Sequence, residues 1–577
     1  MAGPDVKFCL GLFVIFPLFL LQGLFAQDLD QGSLWGTPES GAHQIEGVAR
    51  CYACHSKTDL AADLPKNIVL PPDVTGINDD GWVLLNEMLT WAGEDKHYQA
   101  YTVLLGERSQ RMAQLLGVVD PEGKSLVHQD ARCLACHSAV PIARLPRDGH
   151  LVRQDTLNNS QFNLGVSCEG CHGPSGVGGE SGKAWINAHV DSNVWRTMDS
   201  LRKFQDFGYW DVRSFATQAE ICLSCHLGDV DQGKVITHEM YAAGHPPLPS
   251  FELATFVAQQ PQHWRDFEEK APGIKADFQA KTSVPEIDDG FSTTRMSLVS
   301  SLMTVSQFME LTADLIDEEV TCDVEKPSWP ELANYACFAC HHDLQRDGWR
   351  QRRPASRPPG RPVLHEWTMV LASVAARHLQ VGSDFDRLSG QVEEAVTAQV
   401  FGNRIQLLSA SREFSDAARQ WAHQLDHRRL MPGEVDAILK DIARIGAERT
   451  LDYDSARQLI WAFERVFHDS TTHSDPEDAS ATMTVADART QRIPRPWTGW
   501  LPGESLSRPE EVLKRLEAGL ILDLRQGRAG TQTIPSDGNQ ERPLTEVELE
   551  KTLPKISGYD PEIVQQHFHE LLGILAE

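Results

Sequence analysis

The sequence predicts a mainly α-helical protein with extensive loops. Apolar residues recur at the spacing of one helix face in several stretches, whereas the alternating patterns typical of strands are scarce. Segments rich in glycine, proline and polar residues separate these stretches and predict loops. The clearest helical pattern covers residues 295–316, where Leu298, Leu302, Val305 and Met309 form one stripe.

Similar patterns predict three further helices. One lies within residues 81–106, and the other two lie beyond residue 430. Their apolar faces are formed by Val83, Leu84, Met88 and Trp91, by Val435, Ile438, Leu439, Ile442 and Ile445, and by Leu459, Ile460, Phe463 and Phe467. Asp454 is the expected N-cap of the last of these helices.

The C-terminal tail is predicted to hold two short helices after a polar stretch at residues 471–495. Thr545 and Glu548 have the spacing of a capping box, which predicts the start of the first. Asp560 followed by Pro561 predicts the start of the second, because proline is favoured in the first turn after a capping side chain.

Residues 1–26 are predicted to be a secretory signal peptide. Lys7 supplies the positive start, a nearly continuous apolar run follows from Phe8 to Phe25, and Ala26 is the expected last residue before cleavage. The run is long enough for an uncleaved membrane anchor, which is the alternative. Either interpretation exports the rest of the chain and predicts a periplasmic location.

Five copies of the pattern Cys-x-x-Cys-His occur between residues 27 and 350. They comprise Cys51, Cys54 and His55; Cys133, Cys136 and His137; Cys168, Cys171 and His172; Cys222, Cys225 and His226; and Cys337, Cys340 and His341. A random order of the same composition would give about 0.01 copies. Zinc knuckles, redox pairs and disulfide frameworks do not require a histidine directly after the second cysteine.

This pattern is the attachment signature of c-type haem. The two thiols form thioethers with the porphyrin, and the adjacent histidine becomes the proximal ligand of the iron. The sequence therefore predicts five covalently bound haem c groups, and a fold in which a multihaem cytochrome c domain precedes a helical C-terminal region. The predicted boundaries are residues 27–350 for the pentahaem domain, 351–362 for a proline- and arginine-rich linker, 363–470 for a helical domain, and 471–577 for a polar linker with short helices.

The formal net charge of −28 limits the classes of partner. An acidic surface argues against nucleic acid and against binding to an anionic membrane surface, so the membrane is contacted only through an uncleaved N-terminal segment. The charge favours redox partner proteins with basic docking surfaces, and the alternative is that it serves solubility alone.

A low-spin haem iron needs a sixth ligand, which is usually histidine or methionine. Nine histidines outside the five motifs lie between residues 27 and 350. They are His43, His97, His128, His150, His189, His238, His245, His263 and His342. Five irons can use at most five of them, so at least four have another role.

The motifs and their surroundings resemble the tetrahaem cytochrome c-554 family over residues 45–230. The resemblance is carried by the stretch GVSCEGCHGP at residues 165–174 followed by His189, by the first motif followed by Trp91 and His97, and by the second and fourth motifs in the same order. The fifth motif and the chain beyond it have no counterpart in that resemblance.

The resemblance implies a set of ligand pairs. His189 would serve the iron held by His55, and His97 would serve the iron held by His226. A late histidine would serve the third haem, for which His245 is the expected residue. His238 is the competitor, or it serves another haem.

In the family the second haem has an open iron face, but here His43, His128 and His150 could each fill the face opposite His137. The distal ligand of the fifth haem is left unassigned, with His342 and His365 considered.

Two functions remain open from the sequence. The first is electron transfer through mostly bis-histidine haems, which have no free coordination position. The alternative is a multihaem oxidoreductase that acts on a small nitrogen or sulfur compound at an open second haem. For that alternative, Arg144, Arg147 and His150 are the candidate proton donors.

Overall fold

A computed structural model describes ten segments of the chain. They are residues 43–56, 82–139, 147–153, 162–178, 181–282, 289–317, 329–342, 358–472, 507–520 and 559–577. The predicted signal peptide, the capping box at Thr545 and Glu548, the polar stretch after Thr472 and Arg144 lie outside these residues.

The described residues are mainly helical. The α-helices, numbered α1 to α20 in chain order, are Val48–His55, Glu87–Glu94, Glu107–Leu116, Ala131–His137, Cys168–His172, Trp185–Ala188, Ser192–Trp195, Ser200–Phe207, Phe215–His226, His238–Ala242, Leu253–Ala258, Pro272–Lys281, Ser292–Ile316, Trp367–His378, Gly382–Ala398, Arg404–Asp426, Pro432–Glu448, Tyr453–Thr472, Arg508–Leu520 and Pro561–Ile574. Short 3-10 helices occur at Lys96–Gln99, Thr102–Leu105, Val127–Gln129, Phe162–Leu164, Phe267–Glu269, Leu332–Asn334 and Cys337–Ala339. The strands Arg147–Asp148 and Leu151–Val152 form one small antiparallel hairpin.

The predicted fold class is confirmed, and so are most of the predicted helices. Helix α13 covers residues 292–316, α17 buries the apolar face predicted around Ile438 and Ile442, and α20 begins at Pro561 behind Asp560. The pattern at residues 81–106 is interrupted, because α2 ends at Glu94 and is followed by two 3-10 turns.

One predicted cap is wrong. Helix α18 begins at Tyr453, so Asp454 lies inside its first turn, where it pairs with Arg457 at 2.7 Å. The capping carboxylate is that of Asp452, whose Oδ1 accepts a hydrogen bond from the Ser455 amide at 2.7 Å. The sequence offers two aspartates two residues apart, and only the one that precedes the helix can accept from the free amides of the first turn.

The largest hydrophobic core lies around α13. Helices α14, α16 and α18 pack against it, and α9, which ends in the fourth motif, packs on another side. The core continues through α17 to α20, where Phe568 is fully buried against Gly446. Residues predicted to belong to the helical C-terminal domain thus share one core with the helix that precedes the fifth motif.

Helix α9 is also braced from the C-terminal side. The carboxylate of Asp426, at the end of α16, accepts hydrogen bonds from the Ser214 hydroxyl at 2.6 Å, the Phe215 amide at 3.2 Å and the Ala216 amide at 3.3 Å. These amides belong to the first turn of α9, which has no partner for them within the helix. The fourth motif is therefore carried on a helix that is capped by a residue about two hundred positions later.

None of the helices in the described segments is long and apolar enough to cross a membrane. The domain boundaries predicted from the sequence stay predictions.

Candidate functional site

The five motifs lie on single turns of helix. The first four occupy the ends of α1, α4, α5 and α9, and the fifth begins on the 3-10 helix Cys337–Ala339. A helical turn places residues three and four apart on the same face, so the two thiols and the following imidazole project to one side. This local geometry explains why the two-residue gap of the motif suits one porphyrin.

Four of the motif histidines face a second histidine. The ring centres are 6.3 Å apart for His55 and His189, 6.4 Å for His97 and His226, 6.5 Å for His137 and His245, and 6.2 Å for His238 and His341. The members of each pair come from distant parts of the sequence, so the tertiary fold brings them together.

These spacings fit a metal held between two imidazoles. A metal–nitrogen bond of about 2 Å and slightly more than 1 Å from nitrogen to ring centre, taken on both sides, give somewhat more than 6 Å between ring centres. Directly stacked or hydrogen-bonded rings would be closer. The four pairs therefore match the coordination geometry of a bis-histidine haem iron.

The outer ring nitrogens of five of these eight histidines are held by hydrogen bonds. Nδ1 of His55 and of His97 each lies 2.9 Å from a carboxylate, that of Glu87 and of Asp95 respectively. Backbone carbonyl groups accept from Nδ1 of His137, His189 and His245, at 2.6, 3.1 and 2.8 Å. A hydrogen bond at Nδ1 fixes the tautomer that presents Nε2 to a metal.

The carboxylates change the basicity of their histidines. Burial disfavours the charged imidazole of His55, but the hydrogen bond and charge of Glu87 outweigh it and raise the pKa of His55. Burial also disfavours the charged imidazole of His97, but the hydrogen bond and charge of Asp95 outweigh this effect and raise the pKa of His97. Because a more basic imidazole donates more electron density to a metal, these two positions differ electronically from those held by carbonyl groups.

The structure differs from one expected pairing. His245 is the residue expected for the third haem, but its ring faces His137 of the second motif. His238 faces His341 of the fifth motif, which agrees with the alternative that it serves another haem. The pairs of His189 with His55 and of His97 with His226 lie together as the resemblance implied. Iron ligation by each of these histidines stays a prediction.

The third motif has a different environment. His172 is buried, and burial lowers its pKa to about 4, with His263 as the first of the neighbouring charges that add to this effect. The nearest aromatic ring is that of Tyr209, 6.1 Å away and nearly parallel. Nδ1 of His263 lies 3.1 Å from the Pro261 carbonyl oxygen, and its Nε2 makes no hydrogen bond among the described residues.

His263 was one of nine histidines in the sequence, and nothing in its local pattern distinguishes it. Its neighbours place it beside the motifs: Arg265 donates to the Val83 carbonyl at 3.3 Å, and Lys270 donates to the Trp82 carbonyl at 3.2 Å. The charge of His263 also acts on Asp95, whose carboxylate holds His97. Only the fold shows that this loop returns to the segment before α2.

The remaining candidate histidines have other partners. Nδ1 of His43 lies 3.0 Å from the Gly176 carbonyl oxygen, while its Nε2 is buried without a hydrogen-bond partner and its ring packs against Gly208. His128 contacts the side chain of Gln129 at 3.2 Å. Nε2 of His365 is engaged by the Ala333 carbonyl at 2.8 Å. His150 follows the first strand of the hairpin, and His342 is exposed beside the fifth motif.

The motif cysteines show which motifs are neighbours. A hydrogen bond between their thiols lowers the pKa of Cys51 and raises that of Cys168, so the first and third motifs are in contact. A similar hydrogen bond with Cys225 raises the pKa of Cys136 well above its usual value, so the second and fourth motifs are also in contact. Among the ten motif cysteines, only Cys337 and Cys340 of the fifth motif are exposed.

The helical fold and its thiol–thiol–imidazole sites are typical of c-type cytochromes, in which haem c is covalently bound. Residues 86–173 match the family model described as Cytochrome c554 and c-prime, and this match supports the predicted resemblance to c554-like cytochromes and a haem-based electron-transfer role. The matched residues contain the second and third motifs and end before the fourth. Neither the curated proteins nor the solved structures include one that matches the chain.

Proposed function

We propose that this chain is an exported pentahaem cytochrome that carries electrons between periplasmic or membrane redox partners. The observation that supports the proposal most directly is the set of four histidine pairs with ring centres 6.2 to 6.5 Å apart. Bound haem c supplies one-electron chemistry at an iron whose two axial positions these histidines would occupy.

The protein residues prepare each site for that role. Two imidazoles at one iron would leave no position for a substrate. In the pairs His55–His189 and His137–His245, Nδ1 hydrogen bonds hold both rings in the orientation that ligation requires. Burial of the motifs lowers the local polarity, which together with the carboxylates at His55 and His97 would set different potentials for different haems.

For the third haem, His263 is the proposed sixth ligand. It is the first neighbouring charge that acts on His172, and its Nε2 has no other partner among the described residues. His43 is the competitor, since its Nδ1 is held in the same way. The ring of His43 packs against Gly208, and its Nε2 is buried without a hydrogen-bond partner, so the same argument from an unpartnered Nε2 applies to His43.

The alternative function, oxidation or reduction of a small nitrogen or sulfur compound, requires an iron with an open face. The second haem was the expected place for it, but the ring of His245 lies where a sixth ligand of that iron would be. This arrangement favours electron transfer. Redox partners with basic docking surfaces remain the proposed class, because the chain carries a net charge of −28.

The test is a haem count with electron paramagnetic resonance and visible spectra of the full-length ferric holoprotein. We expect five haems per chain, all low-spin, with spectra that do not change when cyanide or nitric oxide is added. A high-spin signal that shifts on addition of either ligand would contradict a relay of saturated irons and support the enzyme.

The third haem is tested with a matched pair of variants. His263→Met should replace one bis-histidine signal with the signal of a histidine–methionine haem, which has a higher potential. His43→Met, which changes a histidine with the same Nδ1 arrangement, should leave all five signals in place. The opposite pattern would assign the ligand to His43.

A further inference from the structure

One short segment of the chain carries the second histidine of two different pairs. Residues 238–245, here called the two-ligand segment, begin with α10 and end in a glycine turn. His238 at its start faces His341 of the fifth motif, and His245 at its end faces His137 of the second motif. Seven positions therefore separate the residues that complete two sites.

The two-ligand segment is held rigidly. Thr237 caps α10 by accepting a hydrogen bond from the Met240 amide at 3.2 Å. The His245 amide donates to the Met240 carbonyl at 3.0 Å, and the His238 amide donates to the Glu331 carboxylate at 2.8 Å. These bonds fix the separation of the two histidines, because both ends of the segment are tied to α10 or to the chain before the fifth motif.

Tyr241 lies between the two histidines. Its ring centre is 6.1 Å from that of His245, and burial raises the pKa of Tyr241 to about 12. The charge of Cys337 in the fifth motif acts on the same phenol. Tyr241 is therefore close to the second histidine of one pair and near a cysteine of the fifth motif.

The contacts of the other motifs give them a spatial order. The first motif touches the third through Cys51 and Cys168, and the second touches the fourth through Cys136 and Cys225. Cys171 of the third motif acts electrostatically on Cys222 of the fourth. The order in space is thus first, third, fourth and second, and the two-ligand segment adds the fifth motif beyond the second.

We propose that the two-ligand segment connects the fifth haem to the second, so that the fifth is the terminal of the relay where electrons are exchanged with an external one-electron carrier. The inference rests on the proposed function and deepens it. Each step moves one electron from a reduced iron to its oxidised neighbour, and the external carrier supplies or accepts it. Cys337, Cys340 and His341 are exposed, as a terminal requires, whereas the other eight motif cysteines are partly buried.

The experiment is a double-mutant cycle on the midpoint potentials of the full-length holoprotein, followed by electron paramagnetic resonance during a redox titration. His238→Met and His245→Met each replace one outer ligand and should raise the potential of the fifth and second haem respectively. Because the charges of neighbouring redox centres interact, we expect the shifts in potential caused by the two substitutions to be non-additive. The control is His238→Met combined with His189→Met at the first haem, for which we expect additive shifts.

A second measurement guards against distortion of the shared segment. The rate of electron exchange with a small basic one-electron carrier protein should change more in His238→Met than in His189→Met. The exposed His342→Met, next to the motif but not a member of the four histidine pairs described above, should match the wild type in both measurements.

The outcomes separate the two proposals. The connection between the fifth and second haems would be overturned if the midpoint-potential shifts of His238→Met and His245→Met were additive. It would also be overturned if His238→Met were coupled to His189→Met as strongly as to His245→Met. An exchange rate that responds to His189→Met and not to His238→Met would place the terminal at the other end. A spectrum unchanged by His238→Met would instead contradict the fifth histidine pair, and with it the proposed function at that site.

Discussion

The N-terminal part of the molecule, before α9, and the helical part around α13 are stabilised in different ways. Among the residues before α9 that the structure describes, the buried apolar side chains form only small clusters, such as the one around Leu134 and the one formed by Tyr52, Met88 and Leu89. Around α13 a single core extends from α9 to α20. A segment with so little apolar core needs another source of burial, and the haems proposed there are large apolar groups. The comparison indicates that the first part depends on its cofactors for folding and the second does not.

The strongest way to break this comparison is to remove the haems. The chain without residues 1–26, produced where no haem is attached, should keep the helical core but lose ordered structure before residue 210, since the small clusters there cannot offset the entropy of ordering the chain. Limited proteolysis with mass spectrometry should show a protected fragment that contains α13 to α18. Equal protection of the two parts, as in the holoprotein, would contradict the dependence on haem.

The next largest effect is expected from the helical core. Phe568 is fully buried in α20 and lies against Gly446 of α17. Phe568→Ala should lower the free energy of unfolding by about 3–5 kcal/mol, because it removes a large side chain and leaves a cavity. Urea denaturation followed by far-ultraviolet circular dichroism measures this.

The control for this variant is Ile563→Ala on the same helix, where the side chain is 52% exposed. Its effect should be within about 0.5 kcal/mol. Similar effects of the two variants would mean that α20 does not belong to the core. The visible spectrum of Phe568→Ala should remain that of the wild type, because the change lies far from the motifs along the core.

The smallest predicted effect concerns the third motif, in the part of the molecule before α9. Glu169 in the third motif is buried, and its carboxylate accepts hydrogen bonds from the amides of Glu46, Gly47 and Ser175 at 3.0, 2.8 and 2.8 Å. Glu169→Gln replaces one acceptor oxygen with a donor and should destabilise this region by about 1–3 kcal/mol. Amide hydrogen exchange should become faster at Gly47 and Ser175.

The matched control is Glu94→Gln at the exposed end of α2. It should leave exchange at both amides unchanged. Unchanged exchange in Glu169→Gln would show that the apolar contacts of the region, and not the buried carboxylate, hold the chain before α1 against the third motif.

The sequence predicts the chemistry of the sites better than their partners. The motif residues are local, since a helical turn alone brings Cys168, Cys171 and His172 to one side, and a pattern of five residues reveals them. The partner of each motif histidine depends on long-range packing. The resemblance implies the observed pairs of His189 and His97, but it implies another partner for His245 and gives none for His263.

The helical part follows a similar division. The stripe of α13 and the apolar face of α17 are visible in the sequence because helical periodicity is a local signal. That α13 lies at the centre of a core shared by residues before and after the fifth motif is a property of the tertiary fold. The sequence predicts Asp454 as the cap of α18, but the cap is Asp452. Both residues are aspartates and are equally good caps by type, so the sequence alone does not choose between them.

The bracing of α9 by Asp426 has a consequence for the order of events during biosynthesis. The chain is synthesised from its N-terminus, so the fourth motif is made about two hundred residues before the carboxylate that caps its helix. An apparatus that attached haem to this motif at that stage would meet a segment whose first helical turn is not yet capped. We expect attachment to precede docking of α16, and the late arrival of Asp426 then closes a site that has already been loaded.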